Sequence, residues 1–321
     1  MNAISDDTLT IDFGAHVVLN VPDVGEMRVL DDMIGPMHSD PEAIIDFIDQ
    51  SYLDGMVLSQ PPYIGGSDVK TVKESNDALH EVVSKHDQLY SLAALPVGAG
   101  GDVAADELER CLDMGFNGAA VETKSHGTKL SDTELTPVFE KANNTGAPIL
   151  VHPKLHQTVG KTDTHLQDKY RLNAILGREV GLIETICELI HGGTYDSFED
   201  LNLVYHHLGG NIASMLGRIA LHFDKGRWPN QEEMKPYDQF RTQLEERVFI
   251  DTSGFYGSHT AINAALREFP TDNIFFGSDS PYEPRSVTEM NDFIRSIEHN
   301  SSLTGKSKIL GENALELLVN T

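Results

Sequence analysis

The chain has 321 residues, with 50 Asp and Glu against 24 Lys and Arg and a formal charge of −26, which excludes a basic surface built to attract nucleic acid. Hydrophobic residues make up 40 % and charged residues 23 %, enough apolar material for a packed core and too little bias for disorder. No run approaches the roughly 20 apolar residues that span a bilayer, and residues 1–7 carry acids where a signal peptide needs a basic start, so a cytoplasmic protein with no membrane contact is expected.

Short apolar runs that read as strands recur at residues 10–13, 55–59, 91–95, 118–122, 148–152, 202–206, 247–251 and 273–277. Stretches of helical period lie between them. Ser39-Asp40-Pro41-Glu42 caps a run whose Ile44, Ile45, Phe47 and Ile48 share one face, ending before Gly55. A further helix is striped by Ala78, Leu79, Val82 and Val83, leaving His80 and His86 at its boundary. Residues 101–114 carry Val103, Leu108 and Leu112 among acids and stop at Gly115, and another helix runs from Ser131-Asp132-Thr133-Glu134 to Gly146. Strand and helix in alternation predict βαβ units on a parallel sheet. Eight such units favour closure into a (β/α)8 TIM barrel, an α/β fold of the metal-dependent hydrolase type, as a single domain over 1–321. A doubly wound sheet competes, but Gly14-Ala15-His16 follows the first strand where its glycine fingerprint belongs.

Three stretches are irregular: 21–39, 61–72 and 154–172. The last two read as βα loops on the catalytic face and the first as a lead-in to the first helix. Cys111 and Cys187 sit in helical segments far apart in sequence, too few for a disulfide framework or a cysteine zinc site, and read as buried thiols.

In a barrel, the carboxyl ends of the strands converge on one pocket. His16 follows the first predicted strand, His152 closes the fifth, His206-His207 closes the sixth and Asp279 follows the eighth. With fourteen histidines in the chain, one at a strand end means little; the set of imidazoles and a carboxylate suits a zinc-like ion with an open position. Alternation along a strand allows at most one of His206 and His207 to face the interior.

The ordered motifs Ile11-Asp12-Phe13-Gly14-Ala15-His16, Pro148-Ile149-Leu150-Val151-His152-Pro153, Tyr205-His206-His207-Leu208-Gly209-Gly210, Asp251-Thr252-Ser253-Gly254, Phe276-Gly277-Ser278-Asp279-Ser280-Pro281 and Leu310-Gly311-Glu312-Asn313 resemble the amidohydrolase-related family. Within it they are most similar to the branch of aminocarboxymuconate-semialdehyde and dihydroxybenzoate decarboxylases. The resemblance implies a metal-dependent barrel. It places His16 as the second His of the family's His-x-His pair, His152 and Asp279 as the other metal ligands, and His207, with Asp279, as a catalytic group beside the ion. Gly14 stands where the first His of the pair belongs, and offers no side chain. Asp12 reads as a structural or supporting carboxylate. Zinc is the expected ion, with Mn2+ or Mg2+ as alternatives if oxygen donors outnumber nitrogens.

The reaction implied is decarboxylation of a small aromatic or muconate-like carboxylate. Alternatives are hydrolysis of an amide, ester or lactone by the same pocket, and a degenerate barrel kept for binding, for which Gly14 speaks. Lys154, His156 and Arg171, within a cationic cluster that includes Lys161, His165 and Lys169, are candidates to grip a substrate carboxylate, while Glu122 and Lys124 read as a salt-bridged rim. An excursion over 225–237 carrying Trp228, the single tryptophan, points by resemblance to a homodimer. The acidity is the pattern of a protein from high-salt cytoplasm.

Overall fold

The computed structural model describes residues 8–19, 32–154, 169–224, 228–229, 232–256, 258–300 and 304–319. Eight strands form one sheet: β1 Ile11–His16, β2 Gly55–Ser59, β3 Leu89–Ala94, β4 Gly118–Glu122, β5 Ile149–His152, β6 Leu203–Tyr205, β7 Val248–Asp251 and β8 Ile274–Phe275. Neighbours in chain order pair, all in parallel. The seam between β1 and the segment after β8 is closed by three backbone bonds of 2.8 Å: Phe13 N–H to Phe276 O, His16 N–H to Ser280 O, and Asp279 N–H to Gly14 O. The expected (β/α)8 barrel is therefore present.

Its strand alternation sorts side chains into two layers. Ile11, Phe13, Val57, Leu92, Ala120, Leu150, Val204 and Phe275 pack together inside the barrel. The intervening Met56, Leu58, Ala119, Val121, Val151, Leu203, Tyr205 and Ile250 pack outward against the helices. β1 departs from strict alternation. Asp12 pairs with Met56 and Ala15 with Leu58, so Phe13 and Gly14 together stand opposite Val57. This bulge lets Ile11 and His16 both face inward.

The helices follow the sequence signals. α1 (Pro41–Gln50) starts with the Asp40 side chain accepting from Glu42 N–H at 3.0 Å and buries Ile44, Phe47 and Ile48. α2 (Val69–Val83) buries Leu79, with Ala78, Val82 and Val83 at its margin. α3 (Gly101–Asp113) and α4 (Thr136–Thr145) follow, the latter ended by Gly146 in the left-handed region. α5 (Arg178–His191), α6 (Tyr237–Arg247) and α7 (His259–Glu268) pack outside the later strands. α8 (Val287–Glu298) begins in a Ser286–Glu289 capping box, and α9 is Asn313–Val319.

Several boundaries move. β1 runs to His16 rather than stopping at Phe13, β3 begins at Leu89, and β8 is only Ile274–Phe275. Cys111 is buried, but Cys187 is half-buried. The stretch 21–39 does more than lead into α1: its described end returns to the barrel mouth, where Val18 N–H meets His38 O at 2.7 Å and His38 Nε2 lies 3.2 Å from Tyr282 Oη. Among the described residues, no helix is long and apolar enough to cross a membrane.

Candidate active site

Six strand ends or the turns after them deliver the site. His16 ends β1, Ser59 ends β2, His152 ends β5, His206 and His207 follow β6, Asp251 ends β7, and Asp279 follows β8. The rings of His16, His152 and His206 form a triangle whose three centroid separations are all 5.2 Å. Each ring has its Nδ1 engaged away from the centre. His16 Nδ1 is 2.8 Å from Ser59 Oγ, His152 Nδ1 is 2.7 Å from Pro153 O, and His206 Nδ1 is 2.5 Å from Asp251 Oδ2. A carbonyl or carboxylate only accepts, so Nδ1 carries the proton in His152 and His206, and their Nε2 atoms face inward. His16 Nε2 lies 3.3 Å from His206 Nε2 and 3.1 Å from Asp279 Oδ1, and His206 Nε2 lies 3.7 Å from the same oxygen.

The placement of both β6 histidines comes from an unusual turn. After Tyr205 the backbone enters the left-handed region for five residues, His207 to Asn211, with φ between 54° and 70°. Such a turn costs roughly 1–2 kcal/mol for each residue carrying a Cβ; Gly209 and Gly210 avoid that cost at two of the five positions. A Cβ on Gly210 would also meet Glu179 O at 2.2 Å. The coil stacks the His207 ring on that of His206, with centroids 4.5 Å apart. Alternation therefore does not apply here, and the expectation that only one of the pair faces the interior is corrected: both do.

His207 Nδ1 is 2.9 Å from Glu179 Oε1 at the start of α5, and its buried Nε2 is 3.5 Å from Asp279 Oδ2, with no hydrogen-bond partner among the described residues. Its backbone N–H reaches Asp251 Oδ1 at 3.1 Å and Ser253 Oγ at 3.2 Å. Burial by itself lowers the basicity of an imidazole, but Asp279 and Glu179 outweigh it and push His207 up to about 10. His206 is raised because Asp251 overcomes its burial, whereas His16 and His152 are lowered by burial. Burial would raise Asp279, yet the three surrounding histidines hold its carboxyl well below the usual range. Asp279 also sits in the left-handed region, at φ 61°, and its side chain, 14 % exposed, faces the opening.

The structure thus brings His16, His152, His207 and Asp279 to one place and adds His206. The candidate substrate cations fare otherwise. Lys154 Nζ donates to Lys124 O at 2.9 Å and lies 3.9 Å from Glu122 Oε2, which makes it part of a rim. Glu122 also accepts from Ser125 Oγ at 2.9 Å. Arg171 is exposed, with φ 57°. His156, Lys161 and His165 lie outside the described residues. On α5, the Arg178 guanidinium feels the charges of Asp279 and Glu179 and lies near Tyr282, and among the described residues its buried Nε has no hydrogen-bond partner. Tyr282, whose ring is 5.7 Å from that of His16, joins the wall. Asp12 has the supporting role expected, accepting from Gly14 N–H at 3.1 Å and from Ser278 N–H at 2.9 Å and Ser278 Oγ.

The donor set fits a divalent ion. His16, His152 and His206 offer ligand atoms within 4.8 Å of one another, and so do His206, His207 and Asp279. Inward Nε2 atoms fixed by outward Nδ1 bonds, beside a carboxylate, are the arrangement of an imidazole-rich metal site.

A family model described as amidohydrolase matches residues 67–319. The 2-amino-3-carboxymuconate-6-semialdehyde decarboxylase of Dictyostelium discoideum is 26 % identical over 287 residues, 87 % of this chain and 76 % of that protein. The gamma-resorcylate decarboxylase of a Rhizobium species is 28 % identical over 230 residues, 67 % of each. Among solved structures, a 2,6-dihydroxybenzoate decarboxylase complexed with 2,6-dihydroxybenzoate superposes with a TM-score of 0.81 at 22 % identity, over 97 % of this chain and 99 % of the other. A dihydroxybenzoic acid decarboxylase from a Polaromonas species, with bound manganese and 2-nitroresorcinol, gives 0.77 at 20 % identity over 97 % of both chains. A matching family model over most of the length, together with the closed barrel and the histidine–carboxylate cluster at its mouth, shows that the chain belongs to the amidohydrolase family.

Proposed function

We propose that this chain is a metal-dependent decarboxylase of a small aromatic or muconate-like carboxylate. The observation that carries the reading is the convergence of inward-facing imidazoles and the Asp279 carboxylate beside a second, separately anchored imidazole, His207. The relatives named above support the lyase over the hydrolytic alternative, since they are decarboxylases. His16, His152 and Asp279 would hold the ion. Zinc suits the nitrogen-rich donors, and manganese is the alternative, being the ion in the Polaromonas structure.

When bound, such an ion supplies a Lewis acid that stabilises negative charge on the substrate as the C–CO2 bond breaks. The protein's own residues do the rest. His207 holds a proton on Nε2, with Glu179 fixing the ring through Nδ1, and delivers it to the carbon that loses CO2, so the electron pair of the broken bond ends in a new C–H bond. Arg178 neutralises a substrate oxyanion near the opening. Tyr282 and His38 close the wall beside His16 and keep water from the reacting carbon. The homodimer expected from the resemblance belongs to the same reading, and light scattering on the purified protein tests it.

The reading is tested by supplying Zn2+- or Mn2+-loaded protein with a panel of hydroxybenzoates and amino-substituted muconates, and following CO2. Release that is abolished by chelation and restored by the ion supports it. Acid release from lactones or amides, with no CO2 from any carboxylate, overturns it.

A further inference from the structure

Gly14 occupies the β1 position where the resemblance places an imidazole. The space is not empty. A Cβ built on Gly14 would lie 2.8 Å from His206 Cε1, 3.0 Å from Asp251 Oδ2 and 3.2 Å from His206 Nδ1. The His206 ring therefore fills the volume that a side chain at position 14 would claim, and it is pinned there by Asp251. A side chain at 14 and an imidazole at 206 exclude one another.

We propose that His206 is a metal ligand in this chain, the donor missing from β1 having been replaced by one from the end of β6. This rests on the metal-site part of the reading above. The distances suit it. Atoms about 2.1 Å from one ion lie roughly 3.0–3.4 Å apart in an octahedral or tetrahedral shell; His16 Nε2 is 3.3 Å from His206 Nε2 and 3.1 Å from Asp279 Oδ1. The third edge, His206 Nε2 to Asp279 Oδ1, is 3.7 Å. Among the described residues, His206 is the one histidine shared by both candidate ligand groups. His207 belongs only to the second, and its Nδ1 is turned to Glu179. The Asp251–His206 pair gives the new ligand the carboxylate support that orients metal-bound imidazoles. Gly14 is then the mark of a rearranged site, and not of a lost one.

The test counts imidazoles by X-ray absorption on zinc-loaded protein and measures zinc affinity by chelator competition. The wild type is expected to show three imidazoles. His206→Asn keeps a donor for Asp251 but has no ring nitrogen; it is expected to show two, with affinity lower by at least about 100-fold. His207→Asn is expected to keep all three. The double variant Gly14→His/His206→Gly, which moves the imidazole back to β1, is expected to restore the third and guards against misfolding of the single variant. An unchanged count in His206→Asn, a loss confined to His207→Asn, or a wild type with only two imidazoles overturns the assignment. CO2 release by the wild type bears on the decarboxylase reading alone, so the two fail separately.

Discussion

Asp251 and His206 form a fully buried pair, Oδ2 to Nδ1 at 2.5 Å, and the same carboxylate accepts from the backbone N–H groups of His207 and Ser253 through Oδ1, both at 3.1 Å. One β7 side chain thus sets the ring tautomer of His206 and anchors the left-handed turn that carries both histidines. Asp251→Asn keeps an oxygen for the backbone but presents an amide to the ring. Zinc affinity, measured by chelator competition, is expected to fall about 10–100-fold. An unaltered affinity would show that the pair has no part in metal binding.

Gly14→Ala places a methyl against a ring that cannot retreat, because Asp251 holds it. Overpacking of this kind costs about 1–3 kcal/mol. Urea denaturation is expected to show that loss with an unchanged m-value; equal midpoints for variant and wild type would contradict the contact.

Away from the site, Glu107 on α3 is buried and accepts from Asn76 Nδ2 at 2.8 Å, Arg110 Nη2 at 2.7 Å and Arg110 Nε at 2.9 Å. Burial would raise its pKa, but Arg110 and Asn76 outweigh that and hold it below the ordinary value. A carboxyl lowered in the folded state stabilises the fold above its unfolded pKa of about 4.3, and that contribution disappears as pH falls through the folded value. Glu107→Gln is therefore expected to lose about 1–3 kcal/mol at pH 7. The gap to wild type should narrow steadily below about pH 4.3. Melting curves from pH 3 to 8 check this, and a gap that widens in acid would refute it.

The charge of −26 makes a prediction about salt. Self-repulsion destabilises the compact state, and molar salt shortens the Debye length to about 3 Å. The melting temperature is expected to rise from dilute buffer to 2 M KCl. Maximal stability in dilute buffer would contradict the expectation, drawn from the acidity, of a high-salt origin.

The barrel was legible because each strand is a short apolar run between capped helices, and its pockets are set by which strand ends carry polar side chains. His16, His152 and Asp279 stand at such ends and could be read directly. His206 could not, because alternation presumes that the strand continues, whereas the chain turns left-handed at His207; the Gly209-Gly210 pair was the available signal. The β1 bulge was hidden for a similar reason, since Gly14 has no side chain to reveal which face it occupies. Arg178, Glu179 and Tyr282 carry no local mark at all: their roles exist only once α5 and the segment after β8 are packed over the barrel mouth.

The seam joining Phe13, Gly14 and His16 to Phe276, Asp279 and Ser280 has a consequence for the timing of biosynthesis. β1 is the first strand of the barrel to be made, yet the partner for its free edge, the segment after β8, is translated only after the other seven strands. Until then, that edge stays open to wrong pairing. Asp279 arrives with that same segment, so ring closure and completion of the histidine–carboxylate cluster are one event, and a nascent chain stalled before it is unsealed and lacks the cluster's carboxylate.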